Sequence, residues 1–447
     1  MSQKQVLIKG TFILTATGVI TRLMGFFYRI FLSRIFHAEG VGLYQLIFPV
    51  YALCFSATSA GIQVALSRIV AKSTALRQEN EAACSLKAAL FFTASLSFCT
   101  TLLIQQFAGE IAVRFLNEPR CGVLLIAMSW SFPFAAVHSC ICGYYLGLKQ
   151  TRVPAVSQFF EQGARILSVW FFYRIGLNTS MEQPVTIAVL GLVCGELMAA
   201  LYSAFTLRRV LLSRTCRRRD YLAPAGKLLR LSAPLTANRV LLNLLQSVEA
   251  ASIPLCLVAY GHNMSRALSI YGILTGMALP CILFPSALTN SISTMLLPAV
   301  AEIQTMGNSD ELKKLTLRVS FSCLMLGTIC MAGFFFAGHF IGTVIFHNAD
   351  AGNFIMTLAF ICPFLYTNTA LVSVLNGLGK TTTTFFINLI GLGVRIGSIY
   401  LLIPKLGIIG YLWGLLGSQG VVSLLAGLTM VKCKVVSPPF ESKPTQK

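Results

Sequence analysis

The chain has 447 residues, 55% of them hydrophobic and only 11% charged, and its mean hydropathy is +0.74. That composition excludes a soluble globular domain of this length and makes the chain a polytopic membrane protein. The formal net charge of +20 would suggest nucleic acid in a soluble protein; here the cations gather in alternate loops, so no nucleic-acid partner is expected.

Spans of about 20 apolar residues separated by short polar turns predict an all-α fold of about twelve transmembrane helices. They cover 10–36, 41–71, 83–107, 122–148, 153–176 and 184–207, then 231–260, 268–301, 315–346, 354–378, 383–403 and 407–431. The opening MSQKQVLIK resembles a signal peptide, but the apolar run continues past Phe31 and holds Arg22 and Arg29, which favours a first transmembrane helix over a cleaved segment. The division is an N-terminal six-helix half (1–207), a basic linker (208–230), a C-terminal half (231–431) and a polar, proline-containing tail (432–447) expected to be disordered.

The linker, RRVLLSRTCRRRDYLAPAGKLLR, carries Arg208, Arg209, Arg214, Arg217, Arg218, Arg219, Lys227 and Arg230. Lys4, Lys9, Lys72, Arg77, Lys149, Arg152, Lys313, Lys314, Lys380, Lys432 and Lys434 fall on the same side, while Glu39, Glu110, Glu118, Glu182 and Asp350 fall on the other. Cytoplasmic loops carry excess Lys and Arg, so the linker and both termini are expected in the cytoplasm of a multi-pass cell-membrane protein. Basic runs also form nucleic-acid or anionic-lipid patches, but topology alone accounts for this charge. On a background without native cysteines, an impermeant thiol reagent added to intact cells should leave a linker cysteine unlabelled; labelling from outside would overturn the map.

Strings recur at one spacing. Pro133-Phe134 matches Pro363-Phe364, Gly147-Leu148 matches Gly377-Leu378, and Arg165-Ile166 matches Arg395-Ile396, each pair 230 positions apart. The first helix aligns at 217 instead, Leu14 with Leu231, Ala16 with Ala233 and Arg22 with Arg239, a shift that fits a longer turn between the seventh and eighth helices. Even-numbered halves insert the same way up, which predicts two parallel six-helix repeats that rock around a central cavity.

On the first helix, 100° per residue puts Thr11, Thr15, Gly18, Arg22, Gly25 and Arg29 on one stripe, opposite Phe12, Ile13, Ile20, Leu23, Phe27 and Ile30. The seventh helix repeats the design with Ser232, Thr236, Arg239, Asn243 and Gln246, the last being the twin of Arg29. An arginine at bilayer depth costs about 2.5 to 3.5 kcal/mol, so these guanidinium groups should face a wet cavity or an anion unless an internal salt bridge holds them. Glu161 and Arg165 have the spacing of a structural pair on one helix. At the twin, Arg395, glycine 391 replaces the acid, which makes Arg395 a candidate for an external anion or for pairing with Glu196 or Glu249. Those two acids are equally candidates for a coupling proton or cation.

Pro49, Pro133, Pro254, Pro280, Pro285 and Pro363 interrupt helices, most of all in YGILTGMALPCILFP. The fourteen cysteines lie mostly in apolar segments without a CxxC pair and read as hydrophobic filler, and His37, His138, His262, His339 and His347 lack ligand spacing. No metal and no cofactor are expected. Gly377 to Thr381, GLGKT, imitates a phosphate-binding loop, but the pattern needs glycine at Val374.

With these residues in view, KGTFILTATGVITRLMGFFYRIFLSRIFHAEGVGLYQLIFPVY and YGILTGMALPCILFPSALTNSISTMLLPAVAE make the chain resemble the stage V sporulation protein B group of the multidrug, oligosaccharidyl-lipid and polysaccharide exporter superfamily. The resemblance implies a non-enzymatic, monomeric flippase for undecaprenyl-linked sugar precursors, with lipid II as the leading cargo. In the related lipid II flippases, arginines of the first helix line the cavity; Arg22, in TRLMGF, matches, and Arg29 stands one residue from its counterpart. Those flippases carry two further C-terminal helices forming a lipid groove, which this chain is expected to lack.

Cationic stripes suit a diphosphate headgroup, which arginine holds through bidentate, charge-assisted bonds. The expected substrate-binding set is Arg22, Arg29, Arg239, Gln246 and Arg395. A cation-coupled drug extruder shares the architecture but calls for an acid-dominated cavity. A membrane glycosyltransferase would expose catalytic carboxylates or histidines on a sizeable external loop, and no such loop is present.

Overall fold

The computed structural model describes residues 3–176, 184–213, 219–306 and 309–432. The tail beyond 432, Glu182, and Arg214, Arg217 and Arg218 of the linker lie outside the described residues, as do the side chains of Thr11 and Thr15. No strand occurs among the described residues: in lipid a helix satisfies every backbone donor and acceptor within itself, and these apolar segments take that form. The N-terminal helices are α1 (Gln3–Phe55), α2 (Gly61–Ala75), α3 (Glu79–Glu110), α4 (Cys121–Ser129), α5 (Ser131–Gly147), α6 (Arg152–Arg174) and α7 (Thr186–Ser213). Then come α8 (Arg219–Ala259), α9 (Met264–Gly272), α10 (Leu279–Leu283), α11 (Ser286–Thr305), α12 (Ser309–Phe340), α13 (Ala349–Ala359), α14 (Cys362–Gly377), α15 (Thr381–Leu406) and α16 (Ile408–Lys432). Four π-helical segments interrupt the series, at Ser56–Ala60, Ile111–Phe115, Ile273–Ala278 and Ile341–Ile345.

Among the described residues eight helices are long and apolar enough to cross a membrane, or up to ten if each bent pair, α4 with α5 and α13 with α14, is one span. The sequence reading expected about twelve, and the difference lies in two places. The first candidate span, Ala16–Ala75, is 60 residues long and is interrupted at His37, where φ is 56° and the helical path breaks. α6 is not among them: Gln158, Glu161, Gln162 and Arg165 lower its hydropathy.

The repeat is visible in the backbone. The π segments Ile111–Phe115 and Ile341–Ile345 stand 230 positions apart, and each is closed the same way, by Glu118 N–H donating to Ala112 O at 2.9 Å and Asn348 N–H to Gly342 O at 2.9 Å. The bent pairs that follow turn by 43° and 54°. Each pair ends in a left-handed residue, Lys149 in the first copy and Gly379 in the second, and Gln150 N–H and Lys380 N–H return to Tyr145 O and Leu375 O. The left-handed turns at His37 and Gly261 are 224 apart, whereas α2 and α11 are capped by Leu76 and Met306, 230 apart. The shift from 217 to 230 therefore enters partly at the turn between the seventh and eighth helices and partly inside the broken eighth.

By packing, the chain forms two compact units, Met1–Leu255 with Asn263–Gly272, and Cys256–His262 with Ile273–Lys447. These are not the sequence halves: residues 231–255, placed in the second half by the repeat, pack in the first unit. Two contacts hold them there. A Cβ on Gly61 would run into Thr236, and the Asn243 amide donates to Ala52 O at 3.3 Å and to Ser56 Oγ at 2.5 Å, at the start of the first π segment. α9 joins the same unit because Gly42 and Gly272 let its backbone and that of α1 touch. Also in this unit, Arg120 links Glu39 (2.8 Å) and Glu118 (2.7 Å), and Ser265 Oγ donates to Glu39 at 2.6 Å. The hydrogen bond to Glu118 and then that to Glu39 hold the Arg120 guanidinium above its ordinary pKa.

The second unit uses small residues in the same manner: a Cβ on Gly414 would meet Ser398, and one on Gly391 would lie 2.6 Å from Val422 Cγ2. Among its buried polar residues is Asn368, which donates to Gln419 Oε1 at 2.8 Å and accepts from Ser423 Oγ at 2.6 Å. Of the described cysteines, eleven are free and Cys84 is disulfide-bonded. Reading all fourteen as filler thus fails at Cys84, whose partnering no local spacing announces.

Candidate functional site

Within the first unit the polar chemistry gathers where α6 meets α7. One helical turn brings Arg165 back onto Glu161, and Arg165 Nη2 donates to Glu161 Oε1 at 2.7 Å, both side chains largely buried. α7 meets this helix with Gly191 and Gly195, four apart and so on one face. A Cβ on Gly191 would strike Val169, and one on Gly195 would lie 2.8 Å from Glu161 O and 3.5 Å from Arg165 Nε. The glycines therefore let the helices close over a buried guanidinium. Among the described residues Arg165 Nε has no hydrogen-bond partner, so the pair does not exhaust this arginine's donors.

The next residue on α7, Glu196, is buried and turns into the same space. Tyr51 Oη donates to Glu196 Oε1 at 3.0 Å, and His138 Nδ1 stands 3.6 Å from Glu196 Oε2. On the other side of the ring, His138 Nε2 is 3.0 Å from Ser157 Oγ, whose own proton goes to Pro154 O at 2.9 Å. With the neutral ring's proton on Nε2, Ser157 Oγ accepts it and Nδ1 presents a lone pair to a carboxylate. A proton on Nδ1 replaces that repulsion with a charge-assisted contact.

His138, Glu161 and Glu196 each offer a ligand atom, all within 4.8 Å of one another. The sequence reading gave no metal site because the histidines lacked ligand spacing; this grouping draws one residue from each of α5, α6 and α7, which no spacing along the chain records. Two carboxylates and one guanidinium leave one negative charge beside a neutral imidazole, a balance that one proton or one monovalent cation completes.

The remaining candidates are dispersed. Arg22 and Arg29 are exposed on α1, and Arg239 and Gln246 are exposed on α8. A Cβ added at Gly18 or Gly25 would meet nothing within 4 Å, so the space beside the α1 arginines is open. On α8 the expected stripe divides. Thr236 and Asn243 pack against α2 and α1, leaving Arg239 and Gln246 exposed. Glu249 is buried and has a partner, as does Arg29. Arg395, in the second unit, is half-buried and also has one.

A family model described as polysaccharide biosynthesis protein matches residues 7–304. The chain belongs to that family. This family member is 30% identical over 444 residues to stage V sporulation protein B of Bacillus subtilis (strain 168), covering 97% of this chain and 85% of that protein. It is 23% identical over 327 residues to lipid II flippase MurJ of the same organism, covering 69% of this chain and 60% of MurJ. Among solved structures, an inward-facing multidrug resistance MATE transporter of the MOP superfamily matches with a TM-score of 0.73 at 14% identity, over 96% of this chain and 100% of that one. Lipid II flippase MurJ in an inward closed conformation matches with a TM-score of 0.73 at 14% identity, over 94% of this chain and 87% of MurJ. The family member is thus a multi-pass membrane protein with the fold of those two, and the group suggested by its opening and second-half strings is the one found. Sequence reasoning singled out Glu161, Arg165 and Glu196 but missed Tyr51, His138 and Ser157. The one signal for them was polarity in otherwise apolar helices.

Proposed function

We propose that the chain is a secondary transporter that moves a lipid-linked diphosphate sugar precursor, such as lipid II, across the cytoplasmic membrane by alternating access. The observation that carries this reading is the exposure of Arg22 and Arg239 on α1 and α8, inside the candidate spans Ala16–Ala75 and Ala225–Ala259. Exposed guanidinium groups at such depth are costly unless they meet water or an anion, and a diphosphate matches their planar fork. Arg29 and Gln246, in the same unit, remain candidates for the same headgroup, Arg29 alongside the partner it already has; Arg395 remains a candidate anion ligand within the second unit. The names of the related proteins, a lipid II flippase and a polysaccharide biosynthesis family, support a cargo of this class. Transfer of fluorescent lipid-linked precursors between leaflets of vesicles holding the purified protein tests it; the reading fails if the precursor stays in its leaflet under every imposed ion gradient.

We assign coupling to the His138, Glu161 and Glu196 cluster, with Glu196 as the acid and His138 Nδ1 as the atom that takes the proton. Glu249, the other acid proposed for this role, is also buried and has a partner of its own; among the described residues the grouping of ligand atoms is that of His138, Glu161 and Glu196. His138→Gln should keep the protein in the membrane while removing the response of transport to an imposed pH gradient. An unchanged response would move the coupling elsewhere. The same cluster favours a second reading, a cation-coupled extruder of drugs, because a buried acid pair also suits a cationic compound. Extrusion of a cationic dye without precursor transfer in the same vesicles would select it.

A further inference from the structure

A second charged site lies in the first unit, away from the cluster. Arg68, Ile69, Lys72, Ser73, Leu76, Gln78, Glu81, Lys227, Arg230 and Leu231 surround a cavity of about 560 Å³. Its walls are the end of α2, the turn into α3 and the beginning of α8. The candidate spans end at Ala75 and begin at Asn80 and Ala225, so all three walls reach the cavity at span ends, where bilayer meets water.

The charges are lopsided. Arg68 and Lys72, four apart, form one basic ridge, and Lys227 and Arg230, three apart, form another. Glu81 is the one carboxylate in the lining, and it is already engaged: Lys227 Nζ donates to Oε1 at 2.7 Å and Ser73 Oγ to Oε2 at 3.3 Å. That leaves the charges of Arg68, Lys72 and Arg230 without a balancing acid in the cavity wall. Beside them stand apolar Leu76 and Leu231, 58% and 41% exposed. Solvated charge needs no such greasy neighbours at its side, whereas a phosphate attached to acyl chains needs both.

We propose that this cavity binds the phosphate headgroup of an anionic phospholipid. Arg68 and Arg230 present planar forks to the phosphate oxygens, Lys72 adds a point charge, and Leu76 and Leu231 meet the first methylenes of the chains. The proposal does not depend on what the protein transports. It gives the basic face a role besides orienting the helices: an anionic leaflet would anchor α8 against α2 and α3.

The test measures lipid retained by the purified full chain in native mass spectrometry, with phosphatidylglycerol or phosphatidylcholine added. Phosphatidylglycerol should bind preferentially, and the triple variant Arg68→Gln, Lys72→Gln, Arg230→Gln should weaken it at least about tenfold at low salt, with the difference shrinking at high salt. Glu81→Gln, which frees Lys227 without removing a cation, should tighten it by about fivefold. Equal retention of the two lipids, or unchanged affinity in either variant, overturns the proposal. Should the triple variant not accumulate, Glu81→Gln decides alone. Displacement of the lipid by inorganic phosphate at concentrations comparable to the lipid's would identify a free-phosphate site and equally overturn the assignment to phospholipid.

Discussion

Arg165→Ala is expected to empty the membrane of folded protein rather than to slow a working one. The guanidinium is largely buried and 2.7 Å from Glu161, and Glu196 lies in the same group of ligand atoms as Glu161. Truncating one member of a buried ion pair typically costs about 3 to 5 kcal/mol, because the other charge stays behind without compensation. Here two carboxylates would stay behind. Against a total stability on the order of 5 to 15 kcal/mol for a folded domain, that loss is large enough to show as reduced abundance. Arg165→Lys keeps the charge but not the second donor, and should recover part of the abundance. Glu161→Gln combined with Arg165→Met removes the cost from both sides and should recover more than Arg165→Ala. Membrane abundance by immunoblot and thermal unfolding in detergent measure the series; Arg165→Ala at wild-type abundance and midpoint would show that the pair does not hold α6 in place.

Legibility in the sequence followed the range of the interaction. Glu161 and Arg165 were readable because helical spacing alone brings them together, and the pair sits on one helix as that spacing requires. The doublets at 230 were readable because a duplicated segment keeps its turn residues, and the two π segments with their closing hydrogen bonds repeat at the same interval. Contacts between helices left no comparable trace. His138 meets Glu196 across a packed interface, and the histidine has no sequence neighbour that betrays it. Gly191 and Gly195 were visible as letters, but only the closeness of α6 explains them. Asn243 belonged on paper to the arginine stripe of α8, yet a neighbouring helix offered Ser56 as a partner and took it out of that stripe. Arg395 has a partner in the structure, which the missing acid at position 391 did not announce.

Arg22→Ala and Arg239→Ala are expected to abolish transport while the protein still accumulates. Both side chains are exposed on their helices, so truncating either opens no cavity in a packed core and leaves no buried carboxylate behind. Gly18 and Gly25 keep the space beside Arg22 open, which suits a ligand arriving there and is of no use to a structural bridge. Losing one bidentate contact to a diphosphate removes a charge-assisted hydrogen-bond pair, each bond contributing roughly 1.5 to 3 kcal/mol. That is a fall of at least about tenfold in transport per arginine, and more when the pair acts as a unit. Lysine at either position should rescue only partly, because an ammonium supplies charge without the planar fork. The opposite pattern from Arg165→Ala is the decisive comparison, made by measuring precursor transfer and membrane abundance in the same cells. If Arg22→Ala and Arg239→Ala transport normally, these arginines do not hold the substrate. If they lose transport only in proportion to lost protein, their role is in folding, and the cargo must be held by other residues.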